Sequence, residues 1–569
     1  MLPLGVLAQK LLADADGRRR LLAALVAVVF LVGAFSTGLS VNVEFGGGRG
    51  GSPLAVTSTI DPTTGEEIFL DEDGNVLDDE QLAAAGFLPA TSGSGATGGR
   101  SATAGAGAGG GGSAGGAGGG GAGGGGGGEA GAGEPVAAAA APGDRCAGAS
   151  LGATDQGVTA ESIKLGILVP NLNELELAGF PVGLTGDFDA MMDAWVNEFN
   201  RAGVACRKVT WVKRIFDVVS ADDMQRVCRE LTQDEKVFSV VTPGGYDSVA
   251  QLCIAKDAKV PLVNGEPEPA EWYAQSAPYL WTLSTSKDRG HINHVRYLVE
   301  KKLLTKQHKI GVVYDGVPHV APATEKGLLP ELKRSGLAPT KVFKLSSDTE
   351  QALSQLNQVV VDFRLAGVDF VFMPMNLIYK TQFMTVAQQQ GYNPQYTESD
   401  HNFGCYDFTT NTYPAAQYDG TICVTATDAY GRKDLEAFAD QHPFAQYADQ
   451  VYFRTHEGGY HADGKGSDGW NTQRALHISI GSMLRAWQLA ADRVGPDLTR
   501  EKWGQSMGQT GDFDQCVCES PLRFEADKWD GSTTVKGLRW HARASDGWEE
   551  RLYRELSRPQ PAYVQKFAP

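Results

Sequence analysis

The sequence predicts an α/β protein built on two doubly wound parallel sheets that follow one another along the chain. Three observations carry this reading. Residues 237–269, VFSVVTPGGYDSVAQLCIAKDAKVPLVNGEPEP, pass from a short apolar run through Thr242-Pro243-Gly244-Gly245 into an amphipathic stretch, then into a second apolar run, Val260 to Val263. That order is one βαβ unit. The same alternation of short apolar runs with helical spacing continues upstream, which is the pattern of a parallel sheet. After Tyr279-Leu280-Trp281-Thr282 the alternation restarts and runs through a second series.

Taken in order, SIKLGILVP (162–170) reads as a buried strand that stops at Pro170. A long loop follows, and Thr185 is placed to cap the next helix. In that helix Phe188, Met191, Met192, Trp195 and Phe199 recur at helical spacing as a core face. A strand over 208–216 and a helix over 222–235 lead to the 237–269 unit. There Asp247 or Ser248 is placed to cap the helix, leaving amides that suit an anion. A second loop, Asn264-Gly265-Glu266-Pro267, follows the next strand. Both loops leave carboxyl ends of strands, where open α/β sheets bind ligands. The second series has strands at 309–315, 340–346, 368–374, 395–400 and 420–427, with helices at 288–302, 323–335, 349–366 and 377–390 between them. A long helix at 469–493 containing Trp487, a shorter one at 499–508 and a hairpin-like segment at 521–542 close the chain.

The first 160 residues are of another kind. Gly17-Arg18-Arg19-Arg20 precedes an uncharged run at 21–43. The basic flank places residues 1–20 in the cytoplasm by the positive-inside rule. The run has a core of signal-peptide length yet is about long enough to span a bilayer, roughly 20 residues. A transmembrane anchor and a cleaved signal peptide both stay open, the anchor favoured because no clean A-x-A site follows. Residues 44–91 hold a small acidic segment. Its DEDGNVLDDE (71–80) has Val76 where a calcium loop requires glycine, so it reads as an acidic turn. Residues 92–145 are a Gly/Ala-rich linker, of which 92–133 behaves as a flexible coil with an r.m.s. span of roughly 35 Å. Over the 569 residues, 50 Lys+Arg against 68 Asp+Glu give a net charge of −18, which argues against nucleic acid as a partner. No nucleophile elbow, HExxH or phosphate loop stands in a supporting context, so the reading is a binding protein, not an enzyme, with no cofactor and no metal site. His291 and His294 read as helix surface.

With an export signal, the eight cysteines read as disulfides. Right-handed crossovers set the helices 222–235 and 247–257 side by side, so Cys228 and Cys253 can bridge. Cys405 and Cys423 flank a loop whose ends return to adjacent sheet positions. Cys516 and Cys518 are too close for an easy mutual bridge, and Cys146 or Cys206 are their candidate partners.

The stretches GVTAESIKLGILVP, WVNEFNRAGVACRKVTWV, SADDMQRVCRELTQDEKVFSVVTPGGYDSVAQLCIAKDAKVPLV, KIGVVYDG, AGVDFVFMPMN, QQGYNPQY and DLTREKWGQSM occur in one order over residues 157–560. In that order they resemble the type 1 periplasmic solute-binding proteins of the leucine/isoleucine/valine-binding group. The resemblance implies a two-lobed type 1 periplasmic-binding-protein fold, each lobe a doubly wound parallel sheet, with three interlobe crossovers. The first lobe would hold 157–283 and 428–519, the second 284–427 and 520–560.

The resemblance also implies a site. Ser248, with Tyr246 beside it, stands where the group holds a ligand carboxylate. Glu266 or Glu268 replaces a small polar residue, which suits a cationic or polyhydroxy ligand. His319 stands at a position where the group commonly has tyrosine, Asn376 near an aromatic position, and Asp400 at the acidic residue that pairs with a ligand ammonium. The implied function is capture of a small polar ligand, amino acid or amide-like, for ABC-type import through permease subunits at the extracytoplasmic face of the membrane. The alternative is a ligand-sensing receptor that signals to a separate partner.

Overall fold

The computed structural model describes residues 57–60, 67–70, 146, 148–171, 187–218, 220–399, 404–405, 412–426, 440–460, 465, 468–518, 520–540, 560–561 and 563. The expectations for 1–43, the acidic turn at 71–80, the linker and Asp400 fall outside these residues. The chain divides into two compact units, Met1–Gly131 and Ala132–Pro569. In the first, β1 (Thr57–Ile60) and β2 (Glu67–Leu70) pair antiparallel, with Thr57 opposite Leu70. Among the described residues, no helix is long and apolar enough to cross a membrane.

The second unit holds two large sheets. The first contains β3 (Ser162–Asn171), β4 (Lys208–Asp217), β5 (Ser239–Thr242), β6 (Leu262–Asn264) and β7 (Leu280–Thr282). Its order is β4-β3-β5-β6-β7, and every pairing is parallel. β5, β6 and β7 are wholly buried, β7 even though it ends the sheet, whereas the opposite edge strand β4 leaves Ile215 51% exposed. Helix α1 (Phe188–Ala202) starts at Asp187, whose side chain accepts from the Ala190 N–H. That cap lies two residues beyond the expected Thr185. Helix α2 (Ala221–Arg229) is capped in the same way by Ser220.

The second sheet contains β8 (Ile310–Tyr314), β9 (Lys341–Lys344), β10 (Phe370–Phe372), β11 (Gln395–Ser399), β12 (Ile422–Thr425) and, after the small β13 (Gly511–Phe513) and β14 (Leu522–Phe524), β15 (Thr534–Arg539) and β16 (Gln560–Pro561). Its order is β16-β15-β12-β11-β10-β8-β9, with the two added strands antiparallel. Side chains alternate across it: Val313 joins the core on one face and Val312 the core on the other. Around this sheet lie α4 (Lys287–Glu300), α5 (Thr349–Ala366) and α6 (Leu377–Gln389), α3 (Ala270–Ser276) belonging to the first.

The chain returns to the first core through α7 (Pro443–Phe453), α8 (Asp468–Val494) and α9 (Arg500–Met507), whose Phe444, Trp487 and Trp503 pack with Trp195 and Trp281. The Trp195 indole donates to the His477 carbonyl at 3.1 Å, joining α1 to α8. Gly481 makes that approach possible, because a Cβ there would lie 2.0 Å from the Trp195 ring. Gly481→Ala is therefore expected to destabilise the protein by about 1–3 kcal/mol, as overpacking does; a chemical-denaturation midpoint equal to wild type would contradict this packing.

The chain thus crosses between the sheets three times: after Thr282, between Thr425 and Phe444, and between Trp529 and Val535. The first and third crossings run side by side. Thr282 N–H donates to the Trp529 carbonyl at 3.1 Å, Gly531 N–H to Thr282 at 2.9 Å and Ser532 N–H to Ser284 at 3.0 Å. The segment read as one hairpin is divided here. Leu522–Phe524 pairs with Gly511–Phe513 and stays in the first core, while Thr534–Arg539 joins β12 of the second sheet.

Cys228–Cys253 and Cys405–Cys423 are bridged. The other pairings are Cys146–Cys206 and Cys516–Cys518. The last corrects the expectation of distant partners: the bend at Val517 brings the two Cα atoms to 5.4 Å, inside the usual disulfide range.

Candidate functional site

Carboxyl ends of both sheets deliver charged side chains to one place. Beyond β5 the Thr242-Pro243-Gly244-Gly245 turn leads to Asp247. Beyond β6, Gly265 lies against that turn; a Cβ would sit 2.0 Å from the Pro243 carbonyl, so only glycine lets the two loops pack. Glu266 and Glu268 follow, both buried. Lys287 opens α4 straight after the first crossing and is 1% exposed. The second sheet contributes Asp315 at the end of β8, His319 in the loop after it, and Asn376 after β10.

These groups meet. Lys287 Nζ donates to Asp247 Oδ1 at 2.6 Å and lies 3.4 Å from Glu268 Oε2. Gln251 Nε2 donates to Glu268 Oε1. His319 Nε2, from the second sheet, stands 3.9 Å from Asp247 Oδ1. Asn376 Nδ2 donates to Asp315 Oδ2 at 3.2 Å, while its Oδ1 caps α6 by accepting from Tyr379 N–H at 3.0 Å. Asp247 Oδ2 and Asp315 Oδ1 are buried and make no hydrogen bond to the described residues.

The electrostatics follow from burial and neighbours. Burial works against the Lys287 charge, but Asp247 and Glu268 outweigh it and hold the ammonium charged. Glu268 is pushed well up by burial, with Asp247 and Glu266 adding and Lys287 opposing. Asp315 is pushed up to about 6, chiefly by burial and also by Asp247. Burial takes His319 down to about 4, against the pull of Asp247, so it is neutral at pH 7. Among the described residues no group of three or more His, Cys, Asp or Glu has metal-holding geometry.

The expected site residues separate into two sets. Glu266, His319 and Asn376 stand at this meeting point. Tyr246 is turned into the first core instead: its hydroxyl donates to the Met224 carbonyl at 2.6 Å and its ring meets Phe216 edge-on at 5.0 Å. Ser248 Oγ accepts from Ala250 N–H at 3.1 Å, a turn-capping bond. Asp400 lies outside the described residues. Two positions earlier, Glu398 on β11 is buried and receives Lys380 Nζ at 2.7 Å. His291 and His294 are buried, not on a helix surface, because that face of α4 packs toward the second sheet; His294 Nε2 is 2.6 Å from Thr397 Oγ1. Sequence reasoning missed Lys287 and the Lys380–Glu398 pair. The one available signal for Lys287 was a lysine at the first position of the helix that follows the strand ending at Thr282.

Burial lifts Glu398 to about 7, against Lys380. The sign follows from linkage. A carboxyl with a raised folded pKa stabilises fully below its unfolded value, about 4.3, and loses that contribution as pH rises through 7. Relative to Glu398→Gln, the wild type is therefore expected to lose about 2–3 kcal/mol between pH 4.5 and 7. Parallel denaturation curves at the two pH values would refute the raised pKa.

Two lobes, each around a parallel sheet, joined by three crossings and meeting at their strand carboxyl ends, make up the type 1 periplasmic-binding-protein fold. No protein-family profile matches the chain, and no curated protein does. Similar solved structures include a fatty acid ABC transporter substrate-binding protein from Thermomonospora curvata, 18% identical over 74% of this chain and 99% of that one, TM-score 0.49. Another is a leucine-complexed ABC transporter substrate-binding protein from Desulfitobacterium hafniense, 13% identical over 68% and 99%, TM-score 0.47. A third is a solute-binding protein from Rhodopseudomonas palustris BisB5 in complex with 3,4-dihydroxybenzoic acid, 11% identical over 71% and 97%, TM-score 0.48.

Proposed function

We propose that residues 157–560 form an extracytoplasmic solute-binding protein that closes two lobes on a small polar ligand and presents it to ABC-type permease subunits. The observation that carries this reading is the meeting of Asp247 and Lys287 with Asp315 and His319, groups from the strand ends of two separate sheets. Ligands of two-lobed proteins bind between preformed surfaces, and hinge closure desolvates them. The uncharged run at 21–43 would tether the body to the membrane, with the glycine-rich linker as a leash. The charge of −18 fits a partner that is neither nucleic acid nor anionic lipid. The test is to incubate the purified full-length chain with a small-molecule cell extract, remove unbound material and identify what is released on denaturation by mass spectrometry. A stoichiometric small molecule, with a more compact scattering profile in its presence, supports the reading. Absence of any bound component together with an unchanged profile sinks it.

A further inference from the structure

We infer that the ligand is recognised through an organic cation bearing at least two N–H donors, held between Asp247 of the first lobe and Asp315 of the second, and that it needs no carboxylate. The inference rests on the binding-protein reading above and deepens it. Both acidic side chains are already partly spent on the protein: Asp247 Oδ1 on Lys287, and the Asp315 carboxyl on Asn376, through Oδ2, and on the Val317 amide. The other oxygen of each is buried without a hydrogen bond, and Asp315 as a whole is 2% exposed. A buried acceptor with no donor is costly, more so when it is charged. The two oxygens come from opposite lobes, so the cost arises when the lobes are together, and a ligand that donates to both removes it. Such a ligand would therefore favour the closed arrangement.

Charge and donor count narrow the chemistry. Two carboxyl groups, Asp247 and Asp315, stand here with one lysine, and His319 adds no positive charge at pH 7. Two acceptor oxygens require N–H donors, which an ammonium, guanidinium or amidinium supplies and a quaternary ammonium lacks. Lys287 Nζ already faces two protein carboxylates, so it offers a ligand carboxylate no uncommitted cation. Ser248 Oγ accepts from Ala250 N–H and has only its hydroxyl proton to donate.

The experiment uses the full-length chain with agmatine, butylamine, choline and leucine as probes, read by thermal shift and calorimetry. Agmatine or butylamine is expected to raise the melting temperature and bind, with choline and leucine at least ~10-fold weaker. Asp315→Asn and Asp247→Asn are each expected to weaken the amine ~10-fold or more. Asp247→Asn also disturbs Lys287, so Asp315→Asn, which keeps its bond to Asn376 within reach, decides if the other variant fails to fold. The inference is overturned if leucine or choline binds as well as the amines, or if Asp315→Asn leaves amine affinity within about twofold. A bound extract component with no N–H cation also overturns it while leaving the binding-protein reading intact. If neither the amines nor any extract component binds, the binding-protein reading itself has failed.

Discussion

Asp530→Ala is expected to remove about 3–5 kcal/mol of folding stability, the cost of stripping one partner from a fully buried ion pair. Asp530 is 0% exposed. Its Oδ2 accepts from Arg289 Nε at 2.8 Å and from Ser286 N–H at 2.7 Å, and Lys528 Nζ stands 3.3 Å from Oδ1. These partners lie on two different crossings, so the carboxylate ties the first interlobe strand to the third, beside the short ladder from Thr282 to Ser532. Alanine would leave Arg289 buried without its anion. A double replacement, Arg289→Met with Asp530→Leu, is expected to be less destabilised than either single change, because no guanidinium is then left alone. Urea unfolding followed by tryptophan fluorescence measures all three; a loss below about 1 kcal/mol for Asp530→Ala would refute the assignment.

The same pair gives a pH signature. Burial alone would raise the Asp530 pKa, but Arg289 and Lys528 outweigh it and hold the carboxyl below its ordinary range. A depressed carboxyl contributes stability that is present above its unfolded pKa, about 3.9, and is lost as pH falls through the folded value. The gap between wild type and Asp530→Ala should therefore stay constant from pH 7 to about 5 and narrow only below about 4.

Much of this scaffold was legible from residue pattern because it depends on periodicity. Strands such as Ser162–Asn171 and Lys208–Asp217 are ten-residue segments bounded by turns, and the helix between them carries Met191, Trp195 and Phe199 at core spacing. The Cys228–Cys253 bridge followed from crossover handedness, which is a local rule. The site was only half legible. His319, Asn376 and Glu266 were put forward by the family resemblance, and they lie near Asp247, Asp315 and Lys287. Tyr246 could not be distinguished from a ligand contact, since its direction depends on Phe216 and the Met224 carbonyl, residues 30 and 22 positions away. Lys287 and Asp530 were missed for a related reason. Each looks like an ordinary solvated charge, and only the side-by-side course of two crossings buries them. The Cys516–Cys518 pairing is likewise a matter of one bend, which spacing does not encode.

Lys287→Met is expected to destabilise the unliganded protein by about 3 kcal/mol, near the low end for a broken buried pair, because Glu268 is already driven toward its protonated form and only Asp247 loses a full partner. The sign with pH distinguishes this from simple loss of packing. In the wild type Lys287 is held charged above its ordinary range, so its contribution is complete below about pH 10 and is lost only above that. Ligand binding should move the other way. If Asp247 serves a cationic ligand, removing the competing ammonium frees Oδ1 as well as Oδ2, and agmatine or butylamine should bind at least as tightly to Lys287→Met as to wild type. If Lys287 instead held a ligand carboxylate, the variant would lose affinity for leucine-like ligands and gain none for amines. One substitution, read by denaturation at two pH values and by calorimetry with two probes, thus distinguishes a buried lysine that balances the site's own acids from one that binds the ligand.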